Sequence, residues 1–491
     1  MTARAFRLSI PAVAAVCLTV AAAAVLFPDA AWAHGLAQRA DLPLPGWLLT
    51  WGAALLLIGS FAGLVVLWTE PKLEGDSWRP SGRTLNAFVT HPATSAFFGF
   101  FSVLLLGLTV YAGLEGTVAP DRNFSVTFVF VTAWLGLTLV SVLLGDVFRA
   151  LSPWRALGRA FARAVTLVAR RPVRAPFAYP AWLGRWPAVV GLVAFLWFEL
   201  VWGQSGFAAA GVTPEDVAVA TVLYSAITLS GMALFGVEAW HARGETFSVY
   251  FGMFASMSVF ELRDGSIGRR RIFEGTTRWA AAVPGSLALL IVAIGGTTFD
   301  GASEGAIKEG IASTYGAFLD AGLSPVAALR VTNSLSLAAA LALVTAIFWA
   351  GFWGMKIVST RHSAGELALR FVHCFIPIAL AYLVAHYFSL LVYQEQAQFT
   401  YLLSDPLGEG ANFFGTAGSA IDYTVLGATA IQWVQFGSIV VGHAVALAIG
   451  HDRALTVFGT SREAAVSQVW MLTMMIGFST LGLYLLTQAN A

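Results

Sequence analysis

The residues able to do chemistry in this chain sit where side chains of their kind are rare. His373 and His386 lie in one long apolar stretch, and Gln432, Gln435 and His443 lie in the next. Imidazole takes up and releases protons near neutral pH and is a common metal ligand. An ionisable group in hydrocarbon is costly, which makes it a candidate for function. On a 3.6-residue period Tyr382, His386, Ser389 and Tyr393 form one polar stripe. His373 lies about 20 Å further along the axis at 1.5 Å per residue, so it shares no mononuclear site with His386. The two stretches run in opposite directions. His386 then matches Gln432 and Gln435 in depth, and His373 matches His443, with His451 beyond. Carboxylates gather at the His386 level: Glu199, Asp300 in the run Gly295-Gly296-Thr297-Thr298-Phe299-Asp300-Gly301, and Glu395, Asp405, Glu409 and Asp422. A histidine with an acidic rim suits a divalent cation or a water-activating site. The plainer reading is that such His and Gln side chains bond one helix to another, and that loop carboxylates are solvated.

The elements that carry these residues follow from composition. Of 491 residues, 58% are hydrophobic and 11% charged, against about 25% charged in a soluble domain. Ten stretches are long enough to cross a bilayer: 46–67, 93–114, 124–144, 186–202, 217–239, 279–295, 334–353, 371–393, 425–449 and 466–486. The fourth and sixth are at the short limit. The apolar segment 250–260 is too short to cross and reads as interfacial or re-entrant. The expected fold is therefore all-α, a polytopic transmembrane bundle of about ten helices.

The basic residues orient it. With the loops assigned alternately to two sides, every Lys and Arg after residue 33 falls on one side except Arg39, Arg122, Lys308 and Arg330. The rich side, dominated by segments 145–185 and 241–278, is cytoplasmic by the positive-inside rule. Its arginines read as anchors to anionic lipid, and 156–169 as a short basic amphipathic helix on the membrane surface. The outer segment 296–333 has a weak helical pattern over 306–319 and a cap-like Ser324-Pro325.

At the N-terminus Arg4 and Arg7 precede an apolar run over 8–27, followed by Ala31-Trp32-Ala33. This pattern predicts a signal peptide over 1–33 and one integral membrane domain over 34–491, with both mature ends outside. A retained signal anchor is the alternative. Cleavage leaves His34 first, where its α-amino group and ring Nδ1 together suit copper or zinc; a chance histidine is the plainer view. Cys17 and Cys374 are the two cysteines, so neither an intrachain disulfide nor a Cys-based metal site is expected. No nucleotide-binding loop, G-x-S-x-G, H-E-x-x-H, nucleic-acid motif or internal repeat is visible.

Several stretches resemble a family of bacterial polytopic membrane proteins labelled fenitrothion hydrolase. They are His34-Gly35-Leu36, Arg39-Ala40-Asp41-Leu42-Pro43-Leu44-Pro45, Thr297-Thr298-Phe299-Asp300-Gly301, Ala385-His386-Tyr387 and Leu403-Ser404-Asp405-Pro406-Leu407-Gly408. The resemblance spans most of the mature chain and brings no catalytic residues with it. It implies a hydrolase of organophosphorus esters in the bacterial inner membrane, with small apolar ester substrates reached from the bilayer. For that chemistry the sequence offers His34, His386, Asp300 and Asp405 as ligands of a zinc or copper ion, with His386 as the catalytic residue. Transport, or copper or zinc handling without hydrolysis, is the competing expectation, and a scaffold for an unspecified protein partner is a third.

Overall fold

The computed structural model describes residues 46–490 apart from 173, 204–211, 281–282, 304, 359–360 and 459. The segment assigned as signal peptide, and His34, lie outside the described residues. The fold is helical. In chain order the helices that matter here are α1 (Gly46–Leu67), α2 (Pro92–Glu115), α3 (Phe124–Leu144), α4 (Pro153–Ala169), α5 (Trp186–Trp202), α6 (Pro214–Phe235), α7 (Val237–Arg243) and α8 (Thr246–Ala255). They are followed by α9 (Ser286–Ser303), α10 (Lys308–Asp320), α11 (Pro325–Val358), α12 (Ile376–Phe399), α13 (Ala428–Phe458) and α14 (Ser461–Asn490). Among the described residues eight helical segments are long and apolar enough to cross a membrane, while 51–67 and α5 are apolar but shorter.

Local chemistry explains where these helices start. Thr213 forms a capping box with Asp216 ahead of α6, and Pro214 occupies a first-turn position where its missing N–H costs nothing. The Ser152 hydroxyl accepts from the Arg155 N–H to open α4, and His91 Nδ1 accepts from the Ala93 N–H to open α2. Each such cap is worth about 1 kcal/mol.

Small residues set how closely the helices pack. A Cβ on Gly113 of α2 would fall 2.5 Å from the Pro214 carbonyl oxygen, and one on Gly442 of α13 would fall 2.4 Å from Ala381 Cβ. Such contacts let backbones approach, as helices in lipid require. Large apolar side chains point outward: Leu55, Val66, Phe97, Phe100 and Ile227 are all more than half exposed. In water a belt of this kind is a liability; against hydrocarbon it is neutral. Burial singles out two elements: 78% of the apolar window is buried in α9 and in the 364–404 segment that contains α12, against 28% in α2, α6 and α11. The candidate site lies where those two most buried helices meet.

The all-α architecture carries one small addition: β1 (Arg79–Pro80), β2 (Phe260–Arg263) and β3 (Ser266–Arg269) form an antiparallel sheet in the order β1-β3-β2. Asp264 and Gly265, both at positive φ, make the two-residue turn between β2 and β3. Glu261 on β2 gathers Arg263, Arg270 and Arg278 at 2.9–3.0 Å, so part of the arginine-rich loop is folded and charge-paired. The apolar segment near residue 250, too short to cross, forms α8, a short helix whose residues are nearly all buried. The sixth stretch is shifted outward, with α9 running through the Gly-Gly-Thr-Thr run that reads as its end.

Candidate functional site

Asp300 owes its position to that shift. The Thr297 and Thr298 hydroxyls bond back to the Ala293 and Ile294 carbonyls, so the polar run stays helical. Gly296 packs on Leu196 of α5, where a Cβ would fall 2.5 Å from Leu196 Cδ1. One turn on from this crossing lie Asp300 on α9 and Glu199 on α5. Asp300 is buried.

α12 supplies its partners. His386 Nε2 lies 2.8 Å from Asp300 Oδ2, and the Tyr387 hydroxyl donates to the same oxygen at 2.6 Å. The His386 side chain is 20% exposed, so the pair is not sealed. Gly301, next to Asp300, also faces this ring: a Cβ there would lie 3.5 Å from His386 Nδ1, an ordinary contact. Trp134 of α3 stands edge-on to Tyr387 with ring centroids 5.1 Å apart.

Two helices that wall this site are locally unwound. Trp134 lies in a π-helical stretch, Phe128–Gly136, and Glu199 in another, Phe198–Trp202. Such segments re-aim side chains and recur at functional sites. Glu199 Oε2 is buried with no hydrogen-bond partner among the described residues. From the first π-segment Thr132 donates to Glu395 Oε2 at 3.0 Å. Glu395 lies on α12 about 13 Å beyond His386.

His386 and Asp300 are thus brought together, as the metal-site expectation required, but the ligand set does not assemble. Among the described residues no group of three or more His, Cys, Asp or Glu side chains is placed to hold a metal ion. Asp405 closes a turn instead, accepting from the Glu409 and Gly410 N–H groups at 3.1 and 2.7 Å. His34 lies outside the described residues. The expectation of a zinc or copper cofactor, and with it metal binding as a property of this site, is withdrawn: one imidazole and one carboxylate already bonded to each other are too few donors.

The polar stripe also divides. Tyr382 donates to the Phe478 carbonyl of α14 and Tyr393 to the Leu426 carbonyl, while His386 faces α9. The inner level divides as well. His443 packs near Tyr382 with ring centroids 6.1 Å apart, whereas Arg453, ten residues further along α13, reaches the Arg370 carbonyl beside His373. Tyr387, Trp134 and Thr132 are the site residues that sequence reasoning passed over. Only Tyr387, adjacent to His386, left any trace there.

No protein-family model, curated protein or solved structure matches the chain.

Proposed function

We propose that this is a multi-pass membrane protein, its arginine-rich loops in the cytoplasm and its mature ends outside, that hydrolyses apolar phosphotriester-type esters with His386 as general base. The observation that carries the reading is the 2.8 Å contact between His386 and Asp300 on the two most buried helices. A buried carboxylate bonded to one imidazole nitrogen orients the ring and stabilises its protonated form. Such an imidazole takes a proton from water as the water oxygen attacks phosphorus and the aryloxide leaves. A positioned base contributes about 10²–10⁴ in rate. Asp300 also stabilises the imidazolium that forms, and Tyr387 helps hold Asp300. The apolar surroundings suit an aromatic ester that partitions into lipid. The similarity of the Thr297–Gly301 and Ala385–Tyr387 stretches to proteins labelled fenitrothion hydrolase supports the same substrate class.

The test is phenol release from a chromogenic phosphotriester by detergent-solubilised protein. The wild type releases it and His386→Ala does not; equal rates in the two remove His386 from the mechanism.

A second reading, coupled proton or ion transport, is favoured by one observation: Glu199 and Glu395 extend the set of protonatable groups along the site. Solubilisation removes any gradient, so ester hydrolysis in detergent supports the enzyme. Proton movement across proteoliposomes without hydrolysis supports transport.

A further inference from the structure

α4 is two helices in one. Its first half is built into the bundle: Pro153, Trp154, Arg155 and Gly158 are buried, and a Cβ on Gly158 would meet Met232 and Val237. From residue 160 to 170 it is exposed except at Val165 and Thr166, which are half-buried. Phe161, Leu167 and Val168 are 65%, 78% and 86% exposed. At helical spacing Phe161, Val165 and Val168 share one face, and Arg159, Arg163 and Arg170 the opposite one. The chain then continues past Arg171 and Arg174 to exposed Phe177 and Trp182.

The charges divide at the same point. Glu238 of α7 neutralises the bundle-side arginines, lying 3.0 Å from Arg155, 2.8 Å from Arg159 and 3.6 Å from Arg149. Burial opposes ionisation of Glu238, but the three guanidinium groups win and hold its carboxyl below the usual range. Arg163, Arg170, Arg171 and Arg174 are exposed, and none has an ion-pair partner among the described residues. A largely exposed apolar stripe backed by arginines that have no ion-pair partner among the described residues is complementary to a lipid leaflet with anionic headgroups.

We propose that residues 160–172 and 174–182 form a docking surface for anionic phospholipid, with Phe161, Val165 and Val168 inserted among acyl chains and Arg163, Arg170, Arg171 and Arg174 paired with headgroup phosphates. This does not depend on the hydrolase reading.

The test follows thermal unfolding of the full chain in neutral detergent while phosphatidylglycerol, phosphatidylcholine or inorganic phosphate is added. Phosphatidylglycerol raises the wild-type midpoint, and the other two do not. R163Q/R170Q/R171Q/R174Q keeps the lipid-free midpoint but needs at least about tenfold more phosphatidylglycerol for the same rise, in line with the contribution of each basic residue at an anionic surface. Phe161→Ser, which keeps every arginine, also loses part of the response. The proposal is overturned by an unchanged response in the quadruple variant, by an equal wild-type response to phosphatidylcholine or to free phosphate, or by no response at all.

Discussion

His386 and Tyr387, adjacent in sequence and about 100° apart around α12, reach the same atom: Asp300 Oδ2 lies 2.8 Å from the imidazole Nε2 and 2.6 Å from the phenol oxygen. One carboxylate on α9 therefore fixes two consecutive side chains of α12. Losing Asp300 disturbs the base and its support together. Asp300→Asn keeps the shape but not the anion, so its phenol release is expected to fall by about 100-fold or more. Because a buried partner is left poorly matched, unfolding is also expected to come about 1–3 kcal/mol earlier. Steady-state rates and thermal unfolding on the same preparation check both.

Tyr387→Phe removes one hydroxyl and keeps the ring that stands against Trp134. A single hydrogen bond contributes about 1 kcal/mol net. The variant is expected to lose about that much stability and to retain far more activity than Asp300→Asn. A loss equal to that of Asp300→Asn would move the Tyr387 hydroxyl from support into the chemistry.

Among the described residues no group of three or more His, Cys, Asp or Glu side chains forms around the pair of His386 and Asp300. Prolonged dialysis against a chelator is therefore expected to leave ester hydrolysis unchanged, and adding zinc or copper back is expected to do nothing. Activity lost to the chelator and restored by one metal would refute the metal-free mechanism.

The register of α12 on α13 is set where Gly442 meets Ala381. Gly442→Val is expected to force the helices apart, at about 1–3 kcal/mol for overpacking, and to lower activity through the displaced His386. Ala381→Gly placed in a Gly442→Ala background should recover only part of the stability that Gly442→Ala alone loses, because the Pro377 carbonyl oxygen still lies 2.9 Å from the new Cβ. Gly437→Ala, with open space around it, serves as the control and should be neutral. Thermal midpoints of the four variants decide the matter.

At the arginine-rich end, burial and then the charge of Arg155 push the His241 imidazole down to about 3. In the unfolded chain a histidine titrates near 6.5. Below that pH the unfolded chain takes up a proton that the fold refuses. Stability is therefore complete above about pH 6.5 and declines as the pH falls toward 3, by about 1 kcal/mol per pH unit. The lowered carboxyl of Glu238 adds a loss of the same sign at the acid end. His241→Phe, which keeps a flat ring beside Phe148, should flatten the decline between pH 6.5 and 5 in a thermal series.

Much of the helical architecture was legible from composition, because long apolar runs are a long-wavelength signal that survives without knowledge of any contact. The amphipathic helix over 156–169 and the cap at Ser324-Pro325 were legible for the same local reason, and both appear, as α4 and the start of α11. His386 and Asp300 stood out because a charge or imidazole in an apolar run is rare.

What escaped the sequence depends on contacts between helices. The Gly-Gly-Thr-Thr run reads as a helix end because its local propensity is poor, yet packing against Leu196 and hydroxyl bonds to its own backbone keep it helical and bury Asp300. The π-turns that place Trp134 and Glu199 have no periodic signature. Asp405 was grouped with His386 by side and by charge, and only the turn it closes shows that it stands apart. The sequence by itself determined the long apolar helices, approximately placed, and the rarity of His386 and Asp300, since these follow from residue type and spacing. The tertiary structure alone decided which carboxylate meets which imidazole, because that depends on how rigid helices cross and on the glycines that let them close.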